Sequence, residues 1–84
     1  MPKFLDHHKM PGPPTQAEIS QNVQAIKAGK SDPKTGVKGL NWFWTNNEAW
    51  CLVDAPNAQA VHTYHENMGL KLSGGDVSEI HTAV

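Results

Sequence analysis

The stretch "VKGLNWFWTNNEAWCLVD" (residues 37–54) decides the fold, because it contains two candidate strands joined by a tight turn. Aromatic and β-branched side chains, which favour strands, are frequent on both sides of Asn46-Asn47. Asparagine tolerates positive φ, so this pair predicts a two-residue turn between strands over 37–45 and 48–54. The middle of the chain is therefore predicted to be an antiparallel hairpin.

A helix is predicted on each side of this hairpin. Before it, Thr15 and Glu18 have the spacing of a capping box, and apolar residues at helical spacing follow, which predicts a helix over about 16–29. After it, Asn57 is the expected N-cap of a second helix that runs to about residue 68. The hairpin is thus framed by two helices.

Two further strands are predicted at the ends of the chain. Residues 2–9 read as the first strand, and residues 77–84 as the last, after a turn at 73–76. The resulting order, βαββαβ, is the ferredoxin-like pattern, an α+β fold with a four-stranded antiparallel sheet and two helices on one face. The 84 residues are expected to form a single domain, 1–84.

Composition excludes several classes of function. The net charge is −1 with no basic stripe, which argues against a nucleic-acid-binding surface. No apolar run is long enough to cross a membrane, and the first residues lack the apolar core of a signal peptide. A single cysteine, Cys51, suits a reducing compartment. We therefore expect a cytoplasmic protein that binds neither nucleic acid nor membrane.

Alternation along the strands sorts the side chains into two faces. The hairpin turn puts Phe43 opposite Trp50 and Trp42 opposite Cys51. The more apolar face is expected beneath the helices and holds Leu40, Trp42, Trp44, Ala49, Cys51 and Val53, with Ile80 of the last strand. The mixed face is expected to be open, and it gathers Phe4, Asp6, His8, Asn41, Phe43, Trp50, Leu52, Asp54, Glu79 and His81.

This expected open face has too much aromatic surface to leave in water and too many ionisable groups to bury alone. A second copy of the chain covering the sheet resolves both problems. The sequence therefore predicts a homodimer, a dimeric α/β barrel with a partly polar cavity between the two sheets. Asn41, Phe43 and Trp50 would line that cavity, which could take a small apolar ligand.

The first strand carries the candidate metal ligands Asp6 and His8, two residues apart on one face. A carboxylate and an imidazole suit a borderline divalent ion such as Ni²⁺ or Zn²⁺. The alternative is an Asp–His hydrogen bond that sets the register of a dimer. On the last strand, Glu79 and His81 could extend this group or form a solvated edge.

The second helix offers another pair of histidines. His62 and His65 lie three residues apart, so both could chelate one ion. His65 could equally be packed in the core, because Val61 and Met68 lie on the same side of the helix. In that case His62 is simply exposed.

Four segments resemble a known family: "MPKFLDHH", "WCLVDAP", "VHTYHENMGL" and "SEI". The chain resembles the small ferredoxin-like proteins that include a dimeric nickel-binding protein. The resemblance implies the same βαββαβ fold, a dimeric barrel, and binding of Ni²⁺ or a similar ion. By position, it implies Asp6, His8 and the histidines of the second helix as ligands.

Three functions remain open. The first is a ligand-binding protein that holds a divalent transition metal, with Asp6, His8, His65, Glu79 and His81 as candidate ligands. The second is a cofactor-free dimeric barrel enzyme, a monooxygenase or isomerase, with His8 as base oriented by Asp6. The third is a structural or interaction domain. Binding is favoured over catalysis, because Cys51 has no evident base beside it and no phosphate loop, CxxC pair or Ser-His-Asp order is present.

Overall fold

The computed structural model describes residues 1–70, 72 and 74–83. Its elements follow the order β1 (Lys3–Lys9), α1 (Gln16–Ala28), β2 (Lys38–Trp44), β3 (Glu48–Asp54), α2 (Ala58–Asn67) and β4 (Val77–Ile80). The strands form one sheet in the order β2-β3-β1-β4, and every neighbouring pair is antiparallel. The ferredoxin-like α+β fold predicted from the sequence is confirmed. No helix in the described ranges is long and apolar enough to cross a membrane.

The central hairpin has the predicted register from Asn41 to Trp44 but a different turn, and a register shift between Gly39 and Asn41 pairs Gly39, rather than the expected Leu40, with Val53. Phe43 pairs with Trp50 and Trp42 with Cys51, as expected. The asparagines do not use positive φ, however, since no non-glycine residue among those described does so. Instead, the Thr45 hydroxyl accepts the backbone N–H of Glu48 at 3.1 Å and closes the turn. The turn is therefore stabilised by a side-chain hydrogen bond to Thr45 and not by the positive φ at the asparagines that the sequence predicted.

Both helices begin at the predicted caps. Thr15 accepts the N–H of Glu18, whose carboxylate accepts the N–H of Thr15, which completes the capping box of α1. Gly29 ends α1 with φ of 64°, a conformation that glycine adopts without strain. Asn57 Oδ1 accepts the N–H of Ala60 at 2.8 Å and caps α2.

The last strand is shorter than predicted. β4 ends at Ile80, so residues 81–83 are not in a strand, and it pairs only with residues 3–6 of β1. Ile80 was expected beneath the helices, but its pairing with Lys3 places it on the opposite face. Two positions of the sequence predictions, Ser73 in the last turn and Val84 in the last strand, lie outside the described residues.

The assignment of faces in the first strand was wrong. Phe4 is buried in the core against Val53 and Val61, beneath the helices. Because side chains alternate, Asp6 and His8 lie on the same face as Phe4. Leu5 and Phe4 are both apolar, so alternation alone could not decide which of them faces the helices.

The sheet therefore has an open face different from the expected one. It carries side chains of β1, β2 and β3 that lie opposite one another in the strand pairs, and the set comprises Leu5, His7, Asn41, Phe43, Trp50 and Leu52. His7 is 2.7 Å from the Glu48 carboxylate and its ring lies against Trp50. This open face is still largely apolar, but the candidate metal ligands are no longer on it.

Candidate metal centre

Three elements bring together one carboxylate, one thiol and one imidazole beneath α2. Asp6 in β1 pairs directly with Cys51 in β3, so their side chains share a face. His65 of α2 lies above them. One ligand atom from each of the three residues lies within 4.8 Å of the others, and no other group of this kind occurs in the described part of the chain. Asp6 is 0% exposed and His65 2%, so these two members are buried, and Cys51 is half-buried.

The orientation of His65 is fixed by the backbone of its own helix. Its Nδ1 lies 2.9 Å from the carbonyl oxygen of Val61, so Nδ1–H is the donor. Its Nε2 then points at Asp6 Oδ1, 3.3 Å away. A neutral imidazole would present a lone pair at Nε2 to a carboxylate that also offers only lone pairs. Either a proton or a metal cation is needed between these two atoms.

In the metal-free protein, a proton takes that position. Burial lowers the pKa of His65, but the Asp6 carboxylate beside Nε2 and the Val61 carbonyl beside Nδ1 outweigh burial. The pKa of His65 therefore lies above its ordinary value. The Asp6–His65 pair is a buried ion pair when the proton is present.

The Asp6 carboxylate is poorly compensated even so. Neither of its oxygens accepts a well-formed hydrogen bond from any described residue. A buried carboxylate without such bonds is costly, because it has lost its hydration without gaining equivalent partners. This cost is what a bound cation would remove.

His8 provides a further donor at the edge of the cluster. Its Nδ1 is 3.9 Å from Asp6 Oδ1 and has no hydrogen-bond partner among the described residues. Burial lowers the pKa of His8, and the charge of Asp6 offsets this only in part. His8 is therefore neutral near pH 7 and keeps a lone pair available.

Cys51 lies on the helix-covered face, as the hairpin register predicted. Burial and the neighbouring Asp6 charge raise the pKa of its thiol far above the ordinary range. The free thiol is therefore protonated and unreactive, and only a cation at the cluster would favour the thiolate. Sequence reasoning missed Cys51 as a candidate ligand, because its link to Asp6 depends on the pairing of β1 with β3.

The remaining candidate residues lie elsewhere. Glu79 and His81 are exposed near the start of the chain and are not part of the cluster. Asn41 pairs with Leu52, so its side chain is on the open face as predicted, although the residue also borders a cavity between α1 and the sheet. Phe43 and Trp50 are on the open face, and their lining of a cavity between two subunits stays a prediction.

Residues 4–74 match the sequence profile of a family described as nickel responsive protein SCO4226-like. The chain belongs to this family. The matched span of the SCO4226-like family includes Asp6, His8, Cys51 and His65, and it ends before Glu79.

A solved structure has the same fold as this SCO4226-like chain. The crystal structure of SCO4226 from Streptomyces coelicolor A3(2) is 24% identical, covers 98% of this chain and 99% of its own, and superposes with a TM-score of 0.73. At this identity the likeness establishes the fold. No match was found among curated proteins.

Proposed function

We propose that this protein binds a divalent transition-metal ion, Ni²⁺ by preference, through Asp6, Cys51 and His65, with His8 as a further donor. The observation that carries the proposal is the buried contact of 3.3 Å between Asp6 Oδ1 and His65 Nε2. The other nitrogen of His65 is already used as a donor to Val61, so both facing atoms offer electron pairs once the bridging proton leaves.

The donor set suits a borderline ion. Imidazole, carboxylate and thiolate together are appropriate for Ni²⁺ or Zn²⁺ rather than for Mg²⁺ or Ca²⁺, which prefer oxygen ligands. The bond from His65 to the Val61 carbonyl is the outer-shell contact that metal-binding histidines commonly make. The family description supports Ni²⁺ as the preferred ion. A ligating Cys51 also needs a reduced thiol, which suits the cytoplasm expected from the sequence.

We retain the homodimer as part of this proposal, although the metal centre is no longer placed between the sheets. The open face carries Leu5, Phe43, Trp50 and Leu52, and the Phe43 side chain is 47% exposed in the single chain. A second copy would remove this apolar surface from water. Sedimentation equilibrium at micromolar concentration should give twice the chain mass of 9.2 kDa, and the single-chain mass would contradict the dimer.

Isothermal titration with Ni²⁺ tests the metal centre. Asp6→Asn keeps the shape of the side chain but removes its charge, so we expect Ni²⁺ affinity to fall by at least about tenfold to a hundredfold. Asp54→Asn is the matched control, because Asp54 is also a strand carboxylate but is paired with Lys3 outside the cluster.

A second pair of variants uses the helix. His65→Gln should lower Ni²⁺ affinity as strongly as Asp6→Asn, and His62→Gln, three residues earlier on α2, should not. Ni²⁺ binding of unchanged affinity in both Asp6→Asn and His65→Gln would overturn the proposed function.

A further inference from the structure

Helix α1 packs loosely on the sheet and touches it mainly through Ile26, which lies beside Gly39 of β2. It contributes no residue to the buried core, and Val23 on its apolar stripe is 41% exposed. A cavity of about 230 Å³ lies between α1, the β2–β3 hairpin and α2. Protein interiors seldom leave voids larger than a water molecule, so an open space beneath a helix is a place where a ligand can bind.

The cavity has the size and the walls for a small organic molecule. At ~30 Å³ per water molecule, its volume corresponds to roughly eight waters or an organic ligand of roughly ten non-hydrogen atoms. Apolar groups form most of its walls, with Ile26 on the side of α1 and Trp42 and Val53 on the side of the sheet. An indole among aliphatic side chains favours a planar apolar ligand.

One polar group of this cavity, the ammonium group of Lys30, favours an anion. Lys30 forms no ion pair within the described residues, so its ammonium group is uncommitted. Asp32 is the acidic residue of the lining, and its carboxylate already accepts the N–H and the hydroxyl of Thr35 at 2.9 and 2.8 Å.

We propose that this cavity is a binding site for a small organic acid with a planar apolar body. The body packs between Ile26 and Trp42, and the carboxylate accepts a hydrogen bond from the Lys30 ammonium group. The site belongs to the metal-free chain, so it does not depend on the proposed metal centre, although Cys51 and His65 form part of its inner wall.

Titration of the metal-free protein with phenylacetate, followed by ¹H–¹⁵N NMR, tests the site. We expect saturable shifts of the Trp42 indole N–H and the Tyr64 backbone amide, both of which belong to lining residues. Phenylacetamide has the same shape without the charge and should bind more weakly. Lys30→Gln should lower the affinity for phenylacetate by about threefold, as expected for the loss of one exposed charge pair. Phenylacetate should then bind this variant no more tightly than phenylacetamide does.

A cavity-filling variant separates this site from nonspecific binding. Ala25→Phe places a ring into the cavity and should abolish the shifts for both probes, and α1 should tolerate it because it packs loosely. Ala17→Phe is the control on the same helix, since Ala17 does not line the cavity. Absence of saturable shifts, or shifts that persist in Ala25→Phe, would overturn the site. Equal binding of phenylacetate and phenylacetamide to the wild type would overturn its preference for an acid.

Discussion

At the scale of single residues, the hydrogen bond from His65 to Val61 determines what the buried cluster can do. Because Nδ1–H donates to the carbonyl, only Nε2 is left to meet Asp6. A proton occupies that position in the metal-free protein, and a metal ion would have to displace it. Protonation and metal binding therefore compete at one atom, and Ni²⁺ affinity should fall as the pH is lowered.

The two buried histidines give the metal-free protein opposite pH dependences. The folded pKa of His65 is raised, so its contribution to the free energy of unfolding is complete below the unfolded value of about 6.5 and is lost as the pH rises through the folded pKa. The folded pKa of His8 is lowered, so stability is lost as the pH falls from about 6.5 through that lower value. The free energy of unfolding, measured with urea at a series of pH values on both sides of about 6.5, should therefore decline in both directions.

Single variants assign each slope to its residue. His65→Gln should remove the decline of stability above about pH 6.5, and His8→Gln should remove the decline below it, where the unperturbed histidine pKa marks the boundary. The exposed His81 serves as the control, so His81→Gln should leave both slopes in place. A His65→Gln protein that still loses stability on the alkaline side would show that the proton is not on His65.

Cys51 gives a spectroscopic test of the same cluster. If its thiolate ligates, the protein loaded with Co²⁺ should show a sulfur-to-metal charge-transfer band, and metal loading should release the thiol proton. Cys51→Ser should remove this band and lower Co²⁺ affinity by at least about tenfold. A wild-type protein that binds Co²⁺ without the band would exclude Cys51 and leave Asp6, His8 and His65 as the ligands.

At the scale of elements, the two helices differ in how firmly they are held. α2 places Val61 in the core and His65 in the cluster, whereas α1 is well capped but has no fully buried side chain. Local opening is easiest where few apolar contacts must be broken. We expect the amides of α1 to exchange with deuterium faster than those of α2.

Removal of each N-cap tests this difference. Thr15→Ala should destabilise α1 by about 1 kcal/mol and speed the exchange of its amides about fivefold. The free energy of global unfolding should change little. Asn57→Ala is the matched change at α2. It should lower the free energy of global unfolding by about 1 kcal/mol, because α2 contributes part of the core. Equal effects of both variants on global unfolding would show that α1 is as firmly packed as α2.

The sequence contained the local signals that determine these elements but not the face of the first strand. Capping residues and the hairpin register next to the turn follow from neighbours a few residues apart, so both were predictable, whereas the register shift between Gly39 and Asn41 was not. The orientation of β1 depends on its pairing with β3 and on whether Phe4 or Leu5 enters the core. Burying Phe4 brings Asp6 inside as well, which is tolerable only because α2 supplies His65. This compensation between distant residues has no local signal.

At the scale of the whole molecule, the sheet separates the proposed metal centre from the proposed dimer interface. Asp6, Cys51 and His65 lie beneath the helices, whereas Trp50 lies on the open face. The original expectation, in which one cavity between two sheets served both purposes, required Asp6 and Trp50 on the same side. In the observed arrangement, each single chain carries all of the proposed ligands.

A charged substitution on the open face should therefore separate assembly from metal binding. Trp50→Lys places an ammonium group where the second copy would pack, and burying it without a partner would cost several kcal/mol. We expect Trp50→Lys to sediment as a monomer and to bind one Ni²⁺ per chain with the wild-type affinity. Trp44→Lys is the control, because Trp44 is similarly aromatic but lies on the other face of the hairpin and is 42% exposed. Loss of Ni²⁺ binding in a folded Trp50→Lys monomer would mean that the metal needs both subunits. A dimer that persists in Trp50→Lys would mean that the chains associate through another surface.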